Sequence, residues 1–284
     1  MELTLADGRV LEHLTFGAPE GAPVVLFPGT PATAAGGAVV AEAAAAAGVR
    51  LIATSRPGYG RSTTSPPGLV AVARDTVELL DALGVARVGV HGISGGGPYA
   101  LALAAAAPER VDRVVVSAGP GSHLDLGGLS ETEAAAVRLS QAGDHDDAAR
   151  LLHPEAAEQF GDAASMSLAD FRARHFPAGP PPDSWFADRP GPFELFVADM
   201  HRAVQRPDGY VRDNLSWCGP WDVDLAAITC PVLLAYGRDD PTVPAAHGEW
   251  LAARLPHAEL QLHPGGHGDV TFGLAAEAYE YLTR

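Results

Sequence analysis

The chain has 284 residues, 47% of them hydrophobic, with 32 glycines, 24 prolines and a formal net charge of −16. That balance excludes a disordered chain, which needs low hydrophobicity, and it argues against a nucleic-acid or anionic-membrane partner, which needs clustered Lys and Arg. Two cysteines, Cys218 and Cys230, imply neither a disulfide framework nor a metal-ligand spacing.

Met1–Gly8 lacks the basic stretch and apolar run of a secretory signal. The longest uncharged apolar run, around Tyr99–Ala107, is too short for the ~30 Å of a bilayer, so a cytoplasmic protein is expected. In chain order, Glu2–Leu5 and Val10–Phe16 read as antiparallel strands about a turn at Asp7-Gly8, and Ala22–Phe27 reads as a strand buried on both faces. It ends at Pro28-Gly29-Thr30-Pro31. An alanine-rich helix over Gly37–Ala47 stops at Gly48, strand Val49–Thr54 follows, and the breaker-rich loop Ser55–Ser62 comes after it. Leu69–Leu83 has near-helical apolar spacing with Gly84 as its stop.

Val88–Ile93 then reads as a strand and Ser94 as the centre of a tight turn, followed by an apolar helix running through Ala102–Ala107 to Pro108. Arg113–Ala118 is the next buried strand, and the repeated strand–helix pattern specifies a parallel sheet with helices on both faces. From Gly119 to Pro220 the pattern changes. Helical candidates occur at Ser130–Gln141, Asp146–Leu152, Leu168–His175 and Phe193–Gln205, with a bend expected at Pro177–Pro182 and no buried strand. About 100 residues of that kind between strands of one sheet suggest a helical lid. The sheet resumes with Pro231–Tyr236, a helix Ala245–Leu255 and strand Glu259–Leu262. A last helix, capped by Asp269 or Thr271, closes the chain.

The chemistry concentrates in three loops at the carboxyl ends of predicted strands, where open α/β sheets collect their functional groups. The first is Gly92-Ile93-Ser94-Gly95-Gly96, a G-x-S-x-G turn between strand and helix. A serine hydroxyl is a poor nucleophile unless a base takes its proton and a carboxylate orients that base. The other two loops offer both: the Asp239/Asp240 pair, and His267 after the last strand. The order Ser, acid, His is that of the α/β-hydrolases.

On these residues the chain resembles the α/β-hydrolase superfamily over most of its length. Gly92–Ala100 is close to the family's nucleophile elbow, Arg56–Ser62 matches its loop after the fourth strand, and Pro264-Gly265-Gly266-His267 matches its histidine loop. Gly237-Arg238-Asp239-Asp240-Pro241-Thr242-Val243-Pro244 matches a G-x-x-D-x-x-V-P acid loop, which assigns the acid to Asp240 over Asp239. Many members carry H-G-x-P after the third strand, and here Pro28 stands where histidine is usual. The resemblance implies a mostly parallel eight-stranded sheet flanked by helices, a core over residues 1–120 and 221–284, and a lid over 121–220. It also implies an oxyanion hole made by the amides of Gly95 and Thr30.

In the lid region Phe193, Phe196, Trp217 and Trp221 are the candidates for an apolar substrate pocket, with Trp217 foremost because it lies where the lid returns to the sheet. Of the other histidines, His91 is expected to pack at the strand end and His123 and His201 to lie on the surface. No H-E-x-x-H spacing occurs, and neither a metal nor a cofactor is expected. The expected activity is hydrolysis of an ester-like bond in a small, largely apolar substrate, with a rate that rises with pH as His267 loses its proton. The same residues would serve on amides, thioesters, lactones or activated C–C bonds, or in acyl transfer. A binding protein on the same fold is the alternative of a different class.

Overall fold

Eight strands form one sheet: β1 (Glu2–Thr4), β2 (Val10–Gly17), β3 (Ala22–Phe27), β4 (Val49–Thr54), β5 (Val88–Ile93), β6 (Val111–Ser117), β7 (Val232–Gly237) and β8 (Ala258–His263). In this computed structural model, which describes residues 1–181 and 184–284, their order is β1-β2-β4-β3-β5-β6-β7-β8. β1 with β2 and β2 with β4 are antiparallel, and every other pairing is parallel. The expected mostly parallel eight-stranded sheet is therefore present.

Helices α1 (Ala41–Ala46), α2 (Leu69–Ala82), α3 (Gly97–Ala106), α4 (His123–Leu126), α5 (Glu131–Gln141), α6 (His145–Phe160), α7 (Leu168–His175), α8 (Pro190–Ala203), α9 (Asp208–Cys218), α10 (Ala245–Ala252), α11 (His267–Thr271) and α12 (Ala275–Leu282) complete the chain. Leu79 of α2, Leu101 of α3 and Leu251 of α10 cover one face of the sheet. Ala44 of α1 and Tyr279 and Leu282 of α12 cover the other. Covered on both faces, β5 is buried at all six positions, which is why Val88–Ile93 shows no polar alternation. Among the described residues no helix is long and apolar enough to cross a membrane.

Between β6 and β7 the chain leaves the sheet and forms α4 to α9. Two apolar clusters hold this insertion together. One gathers Phe160, Phe171, Phe186, Phe193 and Val197 against Val39 of the sheet layer, and the other packs Ala148 and Leu152 of α6 against Val211 and Leu215 of α9.

Several local expectations shift. The helix expected over Gly37–Ala47 is a 3-10 segment, Ala34–Val40, followed by the short α1. Thr33 caps that segment, its hydroxyl accepting the Ala35 N–H. Gly48 and Gly84 do take left-handed φ at the helix stops, +66° and +64°. α6 does not end at Leu152. It runs through Pro154 to Phe160, because Ala156 and Phe160 are buried beyond the proline and their packing outweighs the missing backbone donor. α9 was not anticipated at all. Asp269 is no terminal cap but lies in the first turn of α11, where its carboxylate accepts the Gly266 N–H. The bend expected at Pro177–Pro182 falls partly on Pro182, outside the described residues.

Candidate active site

At the end of β5, Ser94 takes φ +49°, a left-handed backbone shared among the described non-glycine residues only with Ala118. Such a conformation costs a side-chain-bearing residue roughly 1–3 kcal/mol and persists only where the surroundings enforce it. They do so by close approach. A Cβ on Gly92 would stand 2.7 Å from the Gly97 Cα and 2.8 Å from the Ala100 Cβ, so only glycine lets the strand end meet the start of α3. The turn holds the Ser94 hydroxyl out toward the carboxyl end of the sheet.

There His267, first residue of α11, meets it. His267 Nε2 stands 2.9 Å from Ser94 Oγ, and its Nδ1 stands 2.7 Å from Asp240 Oδ2. With the proton on Nδ1 the ring donates to Asp240 and can accept from Ser94. The other Asp240 oxygen accepts the N–H groups of Thr242 and Val243, at 2.8 and 3.0 Å. Burial alone would raise the Asp240 carboxyl, but the bonds from His267, Val243 and Thr242 outweigh it and hold the group below its ordinary value. Asp239 is exposed and its carboxylate accepts from the Gly265 N–H, so of the two neighbouring carboxylates it is Asp240 that bonds His267. His91 stands apart, fully buried between Ser117 and Tyr279, where burial pushes it down to about 3.

The loop Pro28-Gly29-Thr30-Pro31 lies beside Ser94. A Cβ placed on Gly95 would stand 3.4 Å from the Thr30 nitrogen, so the two amides are neighbours. Among the described residues the Thr30 N–H has no acceptor. The loop is fixed from behind by Arg56, 1% exposed, which donates to the carbonyls of Pro28 and Gly29 at 2.5 and 2.8 Å and to Thr30 Oγ1 at 3.1 Å. Because carbonyl and N–H point opposite ways across a trans peptide, holding the Gly29 carbonyl on Arg56 turns the Thr30 N–H away from it, toward the serine side.

Arg56 is itself paired, at 2.6 Å, with Asp213 of α9, 3% exposed, which also accepts from Thr30 Oγ1 and from the Tyr99 hydroxyl. Burial would lower the guanidinium, but the Asp213 charge outweighs it and keeps Arg56 cationic. Asp213 was not singled out from the sequence, and Arg56 stood out only as the first residue of the Arg56–Ser62 loop, with no role given to it. The available signal was a carboxylate between two buried apolar residues, Val211 and Leu215.

Ser94 and His267 open on a cavity of about 340 Å³. Its floor includes Leu26, Ile93 and Thr30, and its far wall comes from the inserted helices, with Phe176, Phe186, Phe193, Phe196 and Met200. Phe193 and Phe196 thus lie where the sequence suggested. Trp217 and Trp221 do not line the cavity. α9 runs back toward the sheet and ends on its other side, where Trp217 meets His123 at 5.2 Å and Trp221 meets Trp250 at 5.6 Å. It is α8, not the return to the sheet, that faces Ser94. Accordingly His123 is half-buried under Trp217 and not a surface group.

One further polar group on this wall, Asp199 of α8, was not anticipated. It is 5% exposed, accepts from the Thr33 N–H at 3.0 Å and from the Thr33 hydroxyl, and so pins α8 to the segment after β3. Burial pushes its carboxyl up to about 6 against the pull of the Thr33 bonds. Among the described residues no three His, Cys, Asp or Glu side chains gather as a metal would require.

A family model described as alpha/beta hydrolase fold matches residues 22–273. RutD of Caulobacter sp. (strain K31), whose name proposes carbamate hydrolysis, is 31% identical over 232 residues, 77% of this chain and 74% of that protein. A 2-hydroxy-6-oxononadienedioate/2-hydroxy-6-oxononatrienedioate hydrolase of Comamonas testosteroni is 27% identical over 229 residues, 77% of this chain and 70% of that one. Among solved structures, a thermophilic esterase from Thermogutta terrifontis superposes with TM-score 0.69 at 20% identity, covering 99% of this chain and 97% of the other, a likeness of fold. The chain belongs to the alpha/beta hydrolase fold family and is an enzyme of that type.

Proposed function

We propose that the chain is a serine hydrolase that cleaves an ester-like acyl bond of a small, largely apolar substrate through an acyl-enzyme. The observation that carries the reading is the unbroken hydrogen-bond line from Ser94 Oγ through both nitrogens of His267 to Asp240, with links of 2.9 and 2.7 Å. In the first step Ser94 Oγ attacks the carbonyl carbon while its proton passes to His267 Nε2. The negative charge that develops on the carbonyl oxygen is met by the Gly95 and Thr30 amides, donors already in place and needing no reorganisation. His267 then gives its proton to the leaving alkoxide, and the acyl-serine ester remains. Water attacks that ester, losing a proton to the same nitrogen, and the acid leaves as the proton returns to Ser94. Asp240 keeps the imidazole in the tautomer that can accept from serine and stabilises the imidazolium of each step.

Residues 121–220 act in this reading as a lid, which supplies Phe193 and Phe196 to the substrate pocket and covers the serine from water. The relatives named above carry names for two other bonds, carbamate and C–C, and the same residues can open either by attack on a carbonyl. A fluorophosphonate probe tests the common core of these readings. The wild type should be labelled stoichiometrically and Ser94→Ala not at all. A folded wild type that refuses the probe would point to a binding protein.

A further inference from the structure

The cavity beside Ser94 is charged in an unexpected sense. Among the described residues that line it, none is Lys or Arg, and the one carboxylate is Asp199. Arg202, a cation whose charge acts on Asp199, is exposed on the same helix, and Glu12 adds negative potential. The two Thr33 bonds leave lone pairs on both Asp199 oxygens without a donor among the described residues.

We propose that this cavity rejects negatively charged substrates, and that Asp199 is the specificity-determining residue, facing an uncharged, apolar acyl group and accepting a hydrogen bond from a hydroxyl on it. The inference rests on the serine-hydrolase reading of the same site and narrows its substrate class. Two arguments carry it. A carboxylate brought into an apolar cavity loses its hydration, and no Lys or Arg among the described lining residues compensates it. Asp199 adds direct repulsion, and like charges in a partly desolvated site interact far more strongly than in water. A hydroxyl meets the opposite situation, because Asp199 is already buried and can accept its proton at no further desolvation cost to the protein. The aromatic wall of Phe186, Phe193 and Phe196 favours alkyl or aryl carbon around that point. The site also differs from what a dicarboxylate needs, and the Comamonas testosteroni relative is named for a dioate substrate.

The test is a set of ethyl esters of C4 and C6 acids ending in methyl, hydroxyl or carboxylate, assayed by pH-stat at pH 7.5, so that only the acyl end varies. In each chain-length set the wild type should hydrolyse the carboxylate-ended ester about 100-fold more slowly in kcat/KM than the methyl-ended one, from the repulsion of like charges at an effective dielectric near 20. In Asp199→Asn, which keeps the shape and an acceptor for the Thr33 N–H, that ratio should fall at least about tenfold, as expected when one of two like charges is removed. Equal rates for methyl- and carboxylate-ended esters in the wild type would overturn the proposal without any variant, so a poorly folding Asp199→Asn cannot rescue it. An unchanged ratio in a folded Asp199→Asn would overturn the role of Asp199. Fluorophosphonate labelling of the same wild-type sample separates the two readings. Labelled Ser94 with indifferent ester rates sinks the specificity claim alone, and no labelling with no turnover sinks both.

Discussion

Asp240 and Asp199 are both buried carboxylates, and they shift in opposite directions because hydrogen bonds outweigh burial at Asp240 and burial outweighs them at Asp199. Asp240 accepts three N–H bonds, lies below its ordinary value, and stays ionised through the neutral range. Asp240→Asn keeps the shape but presents the wrong hydrogen-bonding partner to His267 Nδ1. It should lower kcat by roughly 10³ or more while leaving the fold intact, measurable by ester turnover and circular dichroism on one preparation. Asp199 has only the two Thr33 bonds against nearly complete burial, and it is pushed up to about 6. A carboxyl raised in the folded state above the ~3.9 of an unfolded chain binds more protons when folded between those values. Its charge therefore weighs on stability as pH rises from about 4 to 6, and the weight is fully present above that. Asp199→Asn should raise the thermal midpoint at pH 7.5 relative to wild type, and the gain should shrink or vanish at pH 4. A gain independent of pH would show that the charge is not the cause.

At the scale of elements, the clamp between the loop after β4 and α9 joins the insertion to the oxyanion loop. Arg56 and Asp213 are so deeply buried that removing one leaves an uncompensated charge. Asp213→Ala should destabilise the protein by about 3–5 kcal/mol in urea unfolding. Arg56→Lys keeps the charge but cannot hold the Pro28 carbonyl, the Gly29 carbonyl and Asp213 together in one planar fork. It should lower kcat by about 10-fold to 100-fold, with KM much less affected, because the Thr30 amide matters most as charge develops on the substrate oxygen. A change confined to KM would place the role in substrate binding. α6 offers a prediction independent of the site. Pro154 is exposed and interior to the helix, so Pro154→Ala restores a backbone donor without altering packing and should stabilise the protein by about 1–3 kcal/mol.

Across the whole molecule, what could be read in the sequence follows from how locally each feature is encoded. The loops of Ser94 and Asp240 sit at the ends of continuously buried strands, and that of His267 follows the more polar β8; all three carry glycines, so periodicity and turn chemistry pointed to the loops, while the family resemblance chose Asp240 over Asp239. Gly92 is the clearest case. Pro28 stands in the oxyanion loop where the family resemblance led to a histidine. The support found in space, Arg56 with Asp213, spans 157 residues of chain, so the match of the Arg56–Ser62 loop gave no sign of the partner on α9. The insertion was harder still. Its helices pack through small residues such as Ala148, Ala149 and Ala156, whose spacing is weak, and α9 was missed with the carboxylate it carries. That omission also misdirected the pocket. Trp217 seemed well placed at the return to the sheet, whereas α9 turns it away and α8 brings Phe193, Phe196 and Asp199 to the serine.

The claim on which the rest depends is that Ser94 takes an acyl group from substrate. The most direct measurement is to mix the protein with p-nitrophenyl acetate, quench with acid within the first turnovers, and locate any added acetyl group by peptide mass spectrometry. The account predicts a +42 Da adduct, the mass of one acetyl replacing a hydrogen, on the Ser94 peptide. The adduct should be transient in wild type and absent from Ser94→Ala, and its formation should be strongly slowed in His267→Ala as expected for loss of a general base. Ester turnover by folded protein with no adduct on Ser94, or with the adduct on another residue, would contradict it.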